Sequence, residues 1–145
     1  MIPKFRVWDE TQHKMLQVDC IEFIDGKAYW VEASPADGNV QGGNDGPVGD
    51  NSQLKLEQYT GLKDANGKEI YEGDILATSS KIGGKLITDY LKVDWREDYA
   101  GFFCGETPLY ACLSEWDNDI KYPQTFPEIV GNVHANPELL EAQHE

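Results

Sequence analysis

Residues 58–75 read QYTGLKDANGKEIYEGDI and contain the clearest turn signal of the chain. Asn66-Gly67 stands between two alternating runs, and this dipeptide tolerates the positive φ angles of a two-residue hairpin turn. On one side, Leu54–Tyr59 alternates as a half-buried strand does, and on the other Glu69–Tyr71 supplies a returning strand. The stretch therefore predicts a β-hairpin with an apolar face.

Strand patterns continue towards the carboxyl end of the chain. Gly83-Gly84 indicates a second hairpin turn, and Leu109–Trp116 fits either a strand or a helix. Because short strands at this spacing are typical of small barrels, the sequence predicts a β-barrel here. The predicted strands are Ile75–Thr78, Leu86–Trp95, Gly101–Cys104 and Glu128–Val133.

The chain ends in a predicted short helix. Asn136 can cap its amino end, Pro137 suits the first helical position, and Glu138 lies favourably at the positive end of the helix dipole. We therefore expect a helix that includes Leu139 and Leu140.

The first 33 residues predict two more hairpins. Lys4–Trp8 alternates between charged and apolar residues, and a polar turn separates it from Met15–Val18. Cys20–Ile24 and Ala28–Val31 stand on either side of Asp25-Gly26, another dipeptide of tight hairpin turns. Four short strands are therefore predicted before residue 33.

A change of composition separates these hairpins from the rest. Residues 34–52 contain five glycines and two prolines, with many Asp and Asn residues and almost nothing apolar. This composition predicts a flexible loop or insert over residues 34–53. The predicted organisation is a β-hairpin region at 1–33, that loop, and a barrel region with a terminal helix at 54–145.

The charge of the chain limits its partners. Twelve basic and twenty-six acidic side chains give a formal net charge of -14, which repels phosphate backbones and anionic lipid. Direct nucleic-acid binding and membrane association are therefore not expected. The acidity fits plain solubility, a basic protein partner or mimicry of nucleic acid. Without a secretion signal or an apolar span, a cytoplasmic location is expected.

The sequence predicts no catalytic, cofactor or metal residues. Three cysteines without a C-x-x-C pair indicate neither a disulfide framework nor a zinc site, and they are expected to be reduced and buried. The three histidines are scattered and have no nucleophile motif beside them. A metal-assisted hydrolase stays an alternative because carboxylates are clustered near Trp95, at Asp94, Glu97 and Asp98.

Four stretches together resemble the YopX family, small proteins carried by phages and prophages of bacteria. They are Lys4–Asp9, Gln58–Leu76, Val93–Trp95 and Ile129–Leu140. The glycine-rich residues 34–52 and residues 124–127 depart from the family pattern. The resemblance implies a β-rich protein with an SH3-like barrel in its second part and a tendency to form homo-oligomers. It brings no catalytic or cofactor residues.

Two interpretations of the 58–75 stretch remain open. In the first, its residues are architectural and supply turns and apolar faces. In the second, polar and aromatic residues form an edge that contacts another protein. The residues of that predicted edge are Tyr59, Lys63, Asp64, Tyr71 and Asp74.

The function expected from these observations is that of a non-enzymatic accessory protein of phage or prophage origin. It would act in the cytoplasm of the bacterial host by binding a protein of host or phage origin, with a basic partner favoured by the charge. The alternatives are the hydrolase described above and an acidic mimic of nucleic acid that blocks a DNA-binding protein.

Overall fold

The computed structural model describes residues 3–36, 41–114 and 127–141, and antiparallel strands make up most of them. Eleven strands and two short helices occur in these residues. In chain order they are β1 (Phe5–Asp9), β2 (Lys14–Ile24), β3 (Lys27–Ser34), β4 (Asn44–Pro47), β5 (Leu54–Lys63), β6 (Glu69–Tyr71), β7 (Asp74–Ile82), β8 (Lys85–Arg96), β9 (Gly101–Cys104), β10 (Thr107–Pro108), α1 (Leu109–Ser114), β11 (Glu128–Asn132) and α2 (Glu138–Glu141).

The chain divides into two compact units, Met1–Tyr59 and Thr60–Glu145. The division lies inside β5 and not in the glycine-rich region, because the first part of β5 pairs with β1 from Leu54 to Gln58. The last residues of β5 belong to the second unit, where β6 is the neighbouring strand.

The sheet of the first unit has the strand order β4-β3-β2-β1-β5. Val7 of β1 lies opposite Leu16 of β2 and Leu56 of β5, so one face of the sheet collects apolar side chains. Burial of each such side chain stabilises the fold by about 1.5–3 kcal/mol. The core of this unit consists of Val7, Leu16, Val31, Ala33 and Leu54.

The prediction of four strands before residue 33 is wrong, because the second and third form the single strand β2. Val18 lies opposite Ala33 and Cys20 lies opposite Glu32, which leaves Asp19 as an extra residue between them. A bulge of this kind resets the side-chain alternation within one strand. The alternation of apolar and polar residues therefore shifts by one position at Asp19, while β2 continues as one strand.

Part of the predicted flexible loop is ordered as a strand. Residues 44–47 form β4, which pairs with β3 from Trp30 to Ala33. A Cβ at Gly43 would lie 2.7 Å from the carbonyl oxygen of Ala33, and one at Gly46 would lie 3.3 Å from Leu54. Glycine is needed at these positions because neighbouring atoms leave no room for a side chain. A glycine-rich composition is the same for close packing and for a flexible loop, so the composition alone did not predict this strand. Residues 37–40 lie outside the described residues.

The sheet of the second unit has the strand order β10-β9-β8-β7-β11. Its β7–β8 hairpin turns at the predicted Gly83, and the separate β5–β6 hairpin turns at the predicted Gly67; both glycines have positive φ angles. The residues from Leu109 onward form the helix α1, and the predicted end at Trp116 lies outside the described residues. The core of this unit consists of Ile70, Leu76, Val93, Cys104 and Leu109.

The mainly β prediction is confirmed by these two antiparallel sheets, and closure into an SH3-like barrel stays a prediction. The short terminal helix is also present, as α2. Asn136 has a different role from the predicted side-chain cap, because its Oδ1 accepts the backbone N–H of Asn132 at 3.2 Å. Within the described ranges, the helices are too short and too polar to cross a membrane.

Candidate functional site

The five residues predicted to form an interaction edge differ in exposure. Tyr59, in the first unit, is buried, and Lys4 Nζ lies 5.6 Å from the centroid of its ring. In the second unit, Asp64 and Asp74 are only 5% and 2% exposed. Lys63 is exposed and Tyr71 is half-buried. Only two of the five therefore offer much surface to a partner.

Asp64 has a structural role that explains its burial. Its Oδ1 accepts the backbone N–H groups of Asn66 and Lys68, each at 2.9 Å. Its Oδ2 accepts the N–H of Ile129 in β11, also at 2.9 Å. One carboxylate thus fixes the 64–68 turn and attaches the closing strand to it.

Asp74 stabilises the next turn in the same manner. Its Oδ2 accepts the backbone N–H of Tyr71 at 2.8 Å, across the two residues that connect β6 to β7. Burial and these backbone hydrogen bonds agree with the architectural interpretation of the 58–75 stretch. Contact with a partner through Lys63 and Tyr71 stays a prediction.

The carboxylates considered for a hydrolase lie at the end of β8 and in the turn after it. Asp94 Oδ2 is 3.8 Å from Lys92 Nζ, and Glu97 and Asp98 are exposed. Within residues 3–36, 41–114 and 127–141, no group of three His, Cys, Asp or Glu side chains has the geometry to hold a metal ion. The hydrolase alternative stays a prediction.

A surface that the sequence analysis missed lies at the end of the β2–β3 hairpin. Strand β1 pairs with β2 only over Lys14–Gln17, whereas the β2–β3 register continues to Ile24 opposite Lys27. Among the described strand pairs, the β1-side edge of β2 therefore has no strand partner beyond Gln17. We call residues 18–29, which form this extension, the arm.

Large apolar side chains are exposed at the tip of the arm. Phe23 is 58% exposed, Ile24 is 54% exposed and Tyr29 is 45% exposed. The turn between the strands is tight, since Asp25 has a φ of 52° and Gly26 a φ of 80°. Phe23 and Ile24 are adjacent in β2 and therefore lie on opposite faces of the hairpin, so each face of the tip carries an exposed apolar side chain.

Acidic side chains accompany this apolar tip. Asp19, Glu22 and Asp25 are all exposed on the arm, and Lys27 is its one basic residue. The arm therefore combines apolar anchors with a negative rim, which suits a partner with an apolar groove and basic surroundings.

A small cavity of about 230 Å³ lies beside the arm within the first unit. Lys55 Nζ donates a hydrogen bond to the carbonyl oxygen of Asp50 at 2.6 Å and so helps to hold one side of it. Sites for small-molecule ligands are commonly about 300–1,000 Å³, so this cavity suits a single side chain better. It is lined by Ala28, Val48, Gly49, Asp50, Lys55 and Leu56.

The sequence did contain a signal for the arm. Phe23 and Ile24 are adjacent in a strand, and adjacent strand residues point to opposite faces of the sheet. Next to a tight turn, at most one of two such side chains faces the core. The other is a candidate for surface contact, which the sequence analysis did not infer.

Comparison with known families and structures agrees with this architecture. The family model described as YopX protein matches residues 4–141. The chain belongs to the YopX family. The resemblance predicted from the four sequence stretches is thereby confirmed.

Other comparisons extend the YopX assignment to structure. The crystal structure of protein EF1440 from Enterococcus faecalis has 29% sequence identity and a TM-score of 0.65. The similarity covers 97% of this chain and 99% of the Enterococcus chain. No curated protein matches the sequence. The comparisons therefore establish family and fold, and the functional argument rests on the surface of this YopX protein.

Proposed function

We propose that this YopX protein is a non-enzymatic interaction module that binds a basic partner protein through the arm. The observation that carries the proposal is the exposure of Phe23, Ile24 and Tyr29 together at the arm tip. Exposure of these apolar side chains to water is unfavourable in free energy. A partner protein that covers them removes this unfavourable term.

Burial of these apolar side chains contributes a favourable term to binding, against the entropic cost of association. Full burial of a Phe or Ile side chain is worth about 1.5–3 kcal/mol, and central aromatic anchors dominate many interfaces. Beyond Gln17, the β1-side edge of β2 has no partner strand among the described residues, and an extended segment of the partner protein can pair with it there by backbone hydrogen bonds. Apolar anchors and a free edge on one hairpin favour a protein over a small ligand.

Charge determines the kind of partner. The net charge of -14 and the arm carboxylates Asp19, Glu22 and Asp25 repel acidic surfaces and attract basic ones. Attraction of this kind accelerates association and weakens as salt is added. The partner is therefore expected to bring lysines or arginines around an apolar groove.

The experiment compares full-length proteins as bait in a bacterial lysate at low and high salt. The test variant carries Phe23→Ala and Ile24→Ala, and the matched control carries Tyr99→Ala and Tyr110→Ala. The two control tyrosines are 66% and 69% exposed, so they are as accessible as the arm residues. Loss of general surface adhesion would affect both variants equally.

We expect a stoichiometric, salt-sensitive partner that the arm variant captures at least about 30-fold more weakly, as for the loss of a 2 kcal/mol anchor. The control should capture it as the unaltered protein does. Equal capture by both variants would refute the arm as the binding surface. Light scattering of the purified bait separates a second copy of this chain, the expected homo-oligomer, from a foreign partner.

Two finer points of the proposal concern origin and fold. We propose an accessory role in the cytoplasm of a phage-infected or lysogenic bacterium, and the family resemblance supports this role. We also propose that the second unit closes as an SH3-like barrel, supported by its five antiparallel strands and the register shift between Ile129 and Gly131 in β11. Bulges of this kind introduce the curvature that closure requires.

A further inference from the structure

The β7–β8 hairpin continues past the strands on either side of it. The pairing of β11 with β7 ends at Ala77, and the pairing of β9 with β8 begins at Val93. The β7–β8 register continues to Ile82 opposite Lys85. We call residues 80–88, at the end of this hairpin, the basic tip. Among the described strand pairs, the two strands of the basic tip pair only with each other.

The basic tip combines lysines with apolar residues in a strongly acidic chain. Residues 80–88 read SKIGGKLIT, and their two lysines and no carboxylate give a charge of +2, against -14 for the whole chain. Lys85 is exposed, and Ile87 is 41% exposed. A Cβ at Gly83 or Gly84 would meet no atom of the described residues within 4 Å, apart from its chain neighbours. The turn is therefore open to a partner.

The arm has the opposite charge and also exposes apolar side chains. Its three carboxylates and one lysine leave a net charge of -2 beside Phe23 and Ile24. Among the described strand pairs, the β1-side edge of β2 beyond Gln17 has no partner, as is the case for the outer edges of the basic tip. Two edges of this kind can pair by backbone hydrogen bonds, and opposite charges that face each other across paired strands stabilise the pair.

We propose that the arm of one copy of this protein binds the basic tip of a second copy. The inference rests on the proposed function, because it identifies a basic partner for the arm on the chain itself. Lysines and apolar residues occur together on the basic tip, as the acidic and apolar arm requires of its partner. Since the two surfaces differ, the contact is heterologous and can continue beyond two copies.

Two copies with a charge of -14 each repel, so the range of this repulsion decides whether the contact forms. At about 0.15 M salt the screening length is about 8 Å, and carboxylates farther than this from the interface contribute little. Neighbouring strands lie about 4.8 Å apart, so charges that meet across the pair interact within the screening length. The attraction between arm and basic tip is therefore retained while the remote repulsion is screened.

Self-association of this kind affects how the arm meets other proteins. A basic tip that lies on the arm covers Phe23 and Ile24, the side chains proposed to anchor a foreign partner. A foreign protein therefore competes with the second copy, and dilution of the chain favours the foreign protein by mass action.

The first test measures self-association of the purified full-length protein by sedimentation velocity from about 1 µM to about 1 mM. A reductant keeps the exposed Cys20 from joining two chains. The tip variant carries Lys81→Glu and Lys85→Glu. The matched control carries Lys68→Glu and Lys92→Glu, which changes the net charge equally at two exposed lysines outside the basic tip. We expect the dissociation constant to rise at least about 10-fold in the tip variant and to stay within about 2-fold in the control.

A charge exchange tests whether the arm and the basic tip meet each other. The arm variant carries Asp19→Lys and Glu22→Lys and should also associate at least about 10-fold more weakly than the unaltered protein. A mixture of the arm variant and the tip variant should associate again, because it contains one unaltered acidic arm and one unaltered basic tip. A contact of arm with arm, or of tip with tip, would leave one of the two variants unaffected by itself, and this result would overturn the inference.

Cys20 provides a direct probe of the distance between arm and basic tip. It is exposed on the arm, so the expectation of buried cysteines is wrong for Cys20, whereas it holds for Cys104. A short cross-linker that joins a thiol to an amine is added to a mixture of isotope-labelled and unlabelled protein. We expect peptides that join Cys20 of a labelled chain to Lys81 or Lys85 of an unlabelled one.

A protein that stays monomeric over the whole concentration range overturns the inference, and so does a tip variant that associates as its control does. The proposed function survives either result if the Phe23→Ala, Ile24→Ala variant still loses capture of a foreign partner. Association that depends on the basic tip but is unchanged by Phe23→Ala and Ile24→Ala would refute the arm as a binding surface, and the proposed function with it.

Discussion

The carboxylate of Asp9 is fully buried at the end of β1 and accepts four hydrogen bonds. Its Oδ1 accepts the backbone N–H groups of Thr11 at 2.9 Å and Gln12 at 3.2 Å. Its Oδ2 accepts the side-chain amides of Gln12 at 2.7 Å and Asn44 at 3.1 Å. Burial alone would raise the pKa of Asp9, but these hydrogen bonds outweigh it and hold the pKa below 3.8.

A lowered pKa makes Asp9 a source of stability that acid removes. The folded state binds the Asp9 proton less tightly than the unfolded chain, so this stability is complete above about pH 5 and is lost as the pH falls below 3.8 towards the folded pKa. Asp9→Asn should lower the free energy of unfolding by about 2 kcal/mol at pH 7. Urea denaturation from pH 7 to pH 3 should show this difference shrinking.

The matched control for Asp9 is Asp98→Asn, since Asp98 is exposed in the turn after β8. Its effect on the free energy of unfolding should stay within about 0.5 kcal/mol at every pH. A difference between Asp9→Asn and the unaltered protein that does not change with pH would contradict the role of the Asp9 charge.

At the scale of elements, Gly131 leaves room for Asn136 to pack against the end of β11. Asn136 folds back over this glycine, and a Cβ at Gly131 would lie 2.7 Å from its Cγ and 2.9 Å from its Cβ. Asn136 N–H also donates to the carbonyl oxygen of Asn132 at 2.9 Å, next to the hydrogen bond that its Oδ1 accepts. The loop between β11 and α2 therefore requires a residue without a Cβ atom at position 131.

Gly131→Ala should displace Asn136 and destabilise the second unit. The expected loss is about 1–3 kcal/mol in the free energy of unfolding, the usual cost of overpacking, measured as a lower urea midpoint. Gly101→Ala is the matched control, because its Cβ would meet only the carbonyl oxygen of Tyr99 at 3.8 Å. Equal midpoints for the two variants would show that the loop adapts without cost.

The turns of this protein were predictable from sequence to a greater extent than its surfaces. Asn66-Gly67 and Asp25-Gly26 identified hairpins because local chemistry alone restricts their backbone angles. The role of Asp64 depends on Ile129, a partner far along the chain that no local pattern connects to it. Exposure of the arm depends on where β1 stops pairing, which the alternation of residues 14–24 does not encode.

For the whole molecule, the net charge of -14 acts on folding and on binding in opposite directions. Close ion pairs between described residues include Arg6 with Glu57 at 2.9 Å and Arg96 with Glu106 at 3.3 Å. With twenty-six acidic side chains against twelve basic ones, most carboxylates experience net repulsion from their neighbours. Compaction of the chain therefore works against its own charge.

Added salt should consequently stabilise the fold while it weakens the proposed complex. Between about 0.01 M and 0.15 M the screening length falls from about 30 Å to about 8 Å, which removes much of the long-range repulsion. We expect the melting temperature to rise by about 3–5 °C over this range, equally in NaCl and KCl. Partner capture through the arm should fall over the same range.

A melting temperature that falls with added salt would mean that attractive ion pairs outweigh the net repulsion. Weaker capture at high salt would then be explained by unfolding of the arm. Opposite trends place that sensitivity at the interface, where acidic arm and basic partner meet.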